Sequence, residues 1–298
     1  MNSRRWFHSA FQIKGSVVID VLPRTIVCAL FALLITVLQN SGYQLEVPFL
    51  GSLIPSIVLS LLLVFRTNTA YERFWEGRKA WGNLINTTRN LARLMLVAIS
   101  EDYYSDRQEK ITAMRLLPAF AIAVKQHLRN APLADDPVIE DVLTPNQLDK
   151  LQTVGVPPLL IAVWINQYLQ SAYVKGQVDR YQLTQMNRFI SDMVDSLGIC
   201  ERIQRTPMPL AYAIHLKQLL LIYCLSLPFQ MVARMGWYTA PLTGLISFTL
   251  LGIEEIGLQI EDPFGLDPND LPLDNLCRVM ALNIDDIVRL TDTKQYAN

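Results

Sequence analysis

The chain has 298 residues, of which 51% are apolar and only 18% charged, with a mean hydropathy of +0.23; this balance points to lipid as part of its solvent. Twenty-six basic against 27 acidic residues leave a formal charge of -1, which excludes the basic footprint of a nucleic-acid binder. Thirteen Gly and sixteen Pro, with no biased run or short repeat, exclude a low-complexity or fibrous chain.

Arg4, Arg5 and Lys14 precede an apolar patch from Val17 to Leu22 that Asp20 interrupts. No small-residue cleavage site follows, so no signal peptide is expected to be removed. Four uncharged or nearly uncharged stretches then match the roughly 20 residues that cross a hydrocarbon core of about 30 Å. They place spans at about 25–42, 47–66, 207–233 and 235–254, the third broken by Lys217 with His215 nearby. The connection Asn40 to Glu46 holds no Lys or Arg, whereas its flanks carry Arg24 on one side and Arg66, Arg73, Arg78 and Lys79 on the other. The positive-inside rule therefore puts both termini in the cytoplasm. The result is an all-α fold with four transmembrane helices in a 2+2 arrangement and helical cytoplasmic parts at about 67–206 and 255–298. A large soluble protein with long buried helices is the alternative.

Within the first cytoplasmic part, Tyr71, Phe74, Trp75, Arg78, Trp81 and Ile85 recur at helical spacing and predict one face of a helix continuing out of span two. Thr144-Pro145-Asn146-Gln147 carries an N-cap, a first-turn Pro and a capping-box Gln. The apolar run Pro157 to Ile165 is too short to span and is expected to pack in the cytoplasmic core. A last helix is predicted over about Leu276 to Leu290, after an acidic loop.

Catalysis has no evident seat in the sequence. Cys28, Cys200, Cys224 and Cys277 form no CxxC or CxxH pairing, so neither zinc nor disulfides are expected. His8, His127 and His215 are scattered, and no GxSxG, Walker or GxGxxG motif occurs. In span two, Ile54, Val58 and Leu62 fall one turn apart, with Ile57, Leu61 and Phe65 as a neighbouring stripe. Such a stripe faces lipid or another helix, or gates by dewetting where several copies ring a pore. After span four, Glu254, Glu255, Glu261, Asp262, Asp267, Asp270 and Asp274 offer oxygen ligands of the kind calcium takes. The spacing is not that of an EF-hand, and Asp residues here also serve as caps and turn formers. Lys217 and His215 are ionisable groups in an apolar span, which marks either function or an interfacial position.

Three separated runs carry a family resemblance: Phe65 to Leu84 (FRTNTAYERFWEGRKAWGNL), Glu201 to Tyr212 (ERIQRTPMPLAY) and Gln259 to Gly265 (QIEDPFG). Together they closely resemble the bacterial branch of the bestrophin family over nearly the whole chain. The resemblance implies one channel unit over 1–298, assembled as a homopentamer around a central pore in a bacterial inner membrane. Span two then lines the pore, with Ile54 (before Pro55), Val58 and Leu62 as its neck, or Ile57, Leu61 and Phe65 if the register slips by three. A second, cytoplasmic constriction falls near Tyr181. Calcium-gated members use a clasp that maps onto the carbonyls of Gln259 and Asp262 and the carboxylates of Asp267 and Asp270. Those members also draw a carbonyl from an N-terminal segment, which on counting back from the aligned Gly15 runs off this chain. No cofactor is expected, calcium being the one candidate that the resemblance raises. The conducted species are monovalent ions, chloride first and sodium or potassium as the alternative. A secondary transporter, with helices interrupted at Pro55 and Pro228, is a further alternative, as is a membrane scaffold that passes no ions, and a membrane enzyme ranks last.

Overall fold

Long apolar runs with few breakers leave helix as the form that satisfies the backbone, and helices account for the architecture. The computed structural model describes residues 7–8, 11–47 and 53–294. Its helices are α1 (Val18–Asn40), α2 (Leu53–Ala98), α3 (Tyr104–Arg129), α4 (Pro137–Val142), α5 (Pro145–Gln152), α6 (Pro157–Val174), α7 (Arg180–Arg205), α8 (Leu210–Met235), α9 (Thr239–Glu261) and α10 (Leu273–Lys294). No strand occurs among the described residues. The chain divides into two compact units, Met1–Phe74 with Pro207–Asp270, and Trp75–Thr206 with Leu271–Asn298. The start of span two at 48–52 and the basic Arg4 and Arg5 lie outside the described residues.

In the first unit, α1 buries Val21, Thr25, Cys28, Ala32, Ile35 and Thr36 at helical spacing. It begins earlier than the sequence suggests because Asp20 is tolerated: its carboxylate accepts from Gln259 Nε2 at 3.0 Å. Helix α9 packs on α1 through small residues, with Thr239, Thr243 and Ser247 fully buried. A Cβ at Gly244 would lie 3.4 Å from that of Ala29, the close backbone approach that small residues permit between apolar helices. The loop after α1 is tied down by Leu45 N–H donating to Gln39 Oε1 (2.8 Å) and Val47 N–H to the Phe229 carbonyl (3.1 Å). Helices α8 and α9 are joined by a single 3₁₀ turn, Gly236–Tyr238, which starts on Gly236 at φ 51°. Only glycine adopts that conformation without strain.

The outward faces of these helices are as apolar as the inward ones. On α1, Ile19, Val27, Leu30 and Leu34 are all more than half exposed, as are Leu221 and Ile222 on α8 and Leu245 on α9. A water-soluble chain rarely leaves so much contiguous apolar surface open. Val18–Asn40 and the 52 residues Leu210–Glu261 are long and apolar enough to cross a membrane.

The second unit is organised around α3, whose Leu117, Ala119, Phe120, Ala121, Ala123 and Val124 are completely buried. The remainder of α2 buries Trp81, Leu84, Leu91, Ala92 and Met95. The stripe anticipated from Tyr71 to Ile85 is only half realised: Trp81 and Ile85 are buried, but Tyr71 and Trp75 are 58% and 50% exposed. The inward face instead runs through Gly77, Ala80, Trp81 and Leu84. Thr144 caps α5 with the anticipated box, its Oγ1 accepting from Gln147 N–H and Gln147 Oε1 accepting from Thr144 N–H. Helix α6 extends well past Ile165 and buries Ile161, Ile165 and Leu169. Buried Lys125 joins Asp136 and Asp274, each at 2.7 Å, and Arg129 adds a second bond to Asp274 at 2.9 Å, docking α10 on α3.

Candidate functional site

The three quoted runs meet at one place in the first unit. Arg66, immediately after the apolar stripe of α2, is 1% exposed, and its Nη2 pairs with Glu261 Oε2 at 3.3 Å. Glu261 Oε1 accepts from the Met208 N–H at 3.0 Å, and its carbonyl accepts from Arg73 Nε at 2.9 Å. Tyr212 donates its hydroxyl to the Leu62 carbonyl at 2.7 Å. Residues from three distant runs thus lock α2 against the start of α8 and the end of α9. Gly257 gives Arg66 its room, since a Cβ there would lie 3.4 Å from Arg66 Nε.

That lock sets the rotation of α2. Leu59, Leu63 and Arg66 point inward, Leu59 and Leu63 forming a buried cluster with Leu216 and Leu220. Leu62 is partly buried against this cluster. On the other side, Ile57 is 55%, Val58 46%, Leu61 52% and Phe65 61% exposed. The side chain of Ile54 lies outside the described residues. Pro55 occupies the first described turn of α2, where a proline costs no internal bond, and Pro228 lies inside an α8 assigned as helix throughout.

The acidic stretch divides in two. Glu254, Glu255 and Glu261 belong to α9, which runs seven residues past the anticipated end of span four. They act as ion-pair partners: Arg24 Nη1 bonds Glu255 at 2.9 Å and lies 3.9 Å from Glu254. Beyond α9, the anticipated calcium residues fold a turn among themselves. Asp262 Oδ1 accepts from Phe264 N–H (3.3 Å), Asp270 Oδ2 from Asp267 N–H (2.7 Å), and the Asp267 carbonyl from Asp270 N–H (3.0 Å). Asn269 bridges Gln259 Oε1 (2.7 Å) and the Gly15 carbonyl (3.3 Å). A Cβ at Gly265 would come within 2.7 Å of Asp270 Oδ2, so the Asp270 carboxylate would have to shift. Among the described residues no three His, Cys, Asp or Glu side chains converge as a metal site. One carboxylate oxygen each of Asp262 and Asp270 is thus taken by a backbone N–H donor.

Tyr181 sits in the first turn of α7, after the capping residue Asp179, and is 88% exposed. His127 is paired with Glu201 at 2.8 Å in the second unit. The four cysteines are buried free thiols. Two features were hidden from sequence reading: the Arg66–Glu261 lock, whose partners are 195 positions apart, and Glu254, which is 2% exposed with Oε1 lacking a hydrogen-bond partner among the described residues.

A family model described as bacterial/fungal bestrophin protein matches residues 1–286. A voltage-dependent anion channel-forming protein of Nostoc sp. is 54% identical over 97% of this chain and 93% of its own length. Another of the same description, from Synechocystis sp., is 49% identical over 99% of this chain and 95% of its own. The crystal structure of a bacterial bestrophin homolog from Klebsiella pneumoniae superposes with a TM-score of 0.80 at 25% identity, covering 90% of this chain and 98% of that one. The protein belongs to the bacterial and fungal bestrophin family.

Proposed function

We propose that the protein is an anion channel of a bacterial inner membrane, chloride being the first conducted ion, formed by a homopentamer around a central pathway. The four spans cross in a 2+2 arrangement with both termini cytoplasmic, which the charge asymmetry around Asn40–Glu46 supports. The relatives described as anion channel-forming cover nearly all of this chain and support the choice of ion.

The carrying observation is the apolar face of α2, which stays about half exposed among the described residues on a helix that the Arg66–Glu261 pair ties to α9. A ring of such faces forms a constriction that conducts when wet and closes by dewetting. The exposure of Ile57, Leu61 and Phe65, against the partial burial of Leu62, favours that stripe over Ile54, Val58 and Leu62 as the neck. Tyr181, on an exposed helix start, is the proposed cytoplasmic constriction. The backbone N–H groups held by Asp262 Oδ1 and Asp270 Oδ2 favour conduction without calcium as a cofactor.

Planar-bilayer recording of the purified protein under a salt gradient tests this reading. A reversal potential near the chloride equilibrium is expected; one near the cation equilibrium would make it a cation channel, and no current from intact oligomers would revive a transporter or scaffold. Leu61→Ala with Phe65→Ala should raise conductance, whereas an effect confined to Val58→Ala with Leu62→Ala would restore the other register.

A further inference from the structure

A cavity of about 380 Å³ opens among α1, α8 and α9, away from the apolar face of α2. Its volume falls in the range of small-molecule sites, roughly 300–1,000 Å³. The lining is polarised. Leu220, Leu221, Leu225 and Leu251 make the walls, and Arg24, Lys217 and Glu254 gather the charge. Lys217 forms no hydrogen bond or ion pair among the described residues. Glu254 is the reverse case, nearly fully buried yet with Oε1 unpartnered among the described residues. A buried carboxylate oxygen without a donor is costly, so the site lacks one donor and carries one unused cation.

We propose that this cavity binds a membrane phospholipid whose headgroup combines a phosphate with a hydrogen-bond donor, an ammonium or a hydroxyl. The phosphate meets Lys217 and Arg24, the headgroup donor meets Glu254 Oε1, and an acyl chain lies along the leucines. Leu221 and Val27, both lining the cavity, are 57% and 63% exposed, so the mouth opens on the surface that the proposed membrane reading gives to lipid. Inorganic phosphate would satisfy Lys217 but leave the apolar walls unmatched, which is why an amphiphile is favoured. Lys217 then has a binding role in place of mere snorkelling.

The inference rests on the membrane reading, and flotation of the full-length protein with phosphatidylcholine vesicles checks that reading separately. Native mass spectrometry of the detergent-purified oligomer, loaded in parallel with phosphatidylglycerol, phosphatidylethanolamine or phosphatidylcholine, tests the site itself. Phosphatidylglycerol and phosphatidylethanolamine should be retained about tenfold better than phosphatidylcholine, whose headgroup has no donor; one charge-assisted hydrogen bond carries that factor. Lys217→Gln should lower retention of both by about the same factor, and Glu254→Met, which has no carboxylate acceptor, should erase the preference over phosphatidylcholine. Equal retention of the three lipids, unchanged retention in Lys217→Gln, or displacement of the lipid by inorganic phosphate would each overturn the proposal while flotation stays intact.

Discussion

Glu261→Ala is the most informative single change, because one carboxylate holds Arg66 Nη2 at 3.3 Å and the Met208 N–H at 3.0 Å. At 3.3 Å and an effective dielectric of 20, the charge pair attracts by about 5 kcal/mol. Desolvating a guanidinium left 1% exposed offsets most of that, so the intact pair sits near break-even against an apolar replacement. Removing one partner is different: it leaves a buried cation uncompensated, at about 3–5 kcal/mol, with about 1 kcal/mol more for the Met208 N–H. In a chain of this size each kcal/mol lowers the melting temperature by roughly 2–4 °C, so a drop on the order of 10 °C is expected for Glu261→Ala, measured by thermal unfolding of the purified protein in detergent. Arg66→Met with Glu261→Leu should melt well above the sum of the single effects, a coupling of about 2 kcal/mol or more. A shift within about 2 °C for the single variant, or additivity of the two changes, would refute the view that this pair holds α2.

Gly265→Ala should destabilise by about 1–3 kcal/mol through overpacking, since its Cβ would lie 2.7 Å from Asp270 Oδ2; melting of Gly265→Ala with and without Asp270→Ala checks it, and a double variant no better than the single one contradicts the stated clash. Lys125 and Arg129 pull the Asp274 carboxyl down to about 2, so its stabilisation is complete above the usual value near 3.8 and is lost as pH falls through about 2. The shift would correspond to about 2.4 kcal/mol, but Asp274 is 67% exposed, and solvent screening reduces this to about 1 kcal/mol. Asp274→Asn should therefore flatten the acid limb of the stability profile between about pH 4 and pH 2, and an unchanged limb would count against the pairing. Burial pushes the thiols of Cys200 and Cys277 up to about 12, so neither should be alkylated by iodoacetamide in the folded protein at pH 8, while both react after denaturation; mass spectrometry of the native sample decides this.

The long apolar helices were legible in the sequence because hydropathy is a property of each run by itself, as were the Thr144 cap and the continuation of the second apolar run into a 46-residue helix. What depends on partners elsewhere was not. Glu254 and Glu255 read as the start of an acidic loop because their compensating Arg24 lies some 230 positions away. Tyr71 and Trp75 share the spacing of a core stripe, yet the inward face is claimed by Gly77, Ala80 and Trp81. The proposed neck is the sharpest case. Adjacent residues on a helix differ by about 100°, so Leu61 and Leu62 are equivalent in composition and opposite in consequence. The register is a question of rotation, and rotation is set by whichever residue is bound to the interior. Arg66 is that residue: its pairing with Glu261 requires it inside, Leu63 and Leu59 follow at helical spacing, and Phe65, Leu61 and Ile57 are turned outward. The conspicuous motifs are therefore legible as landmarks, but their physical work is to fix the phase of the apolar run between them.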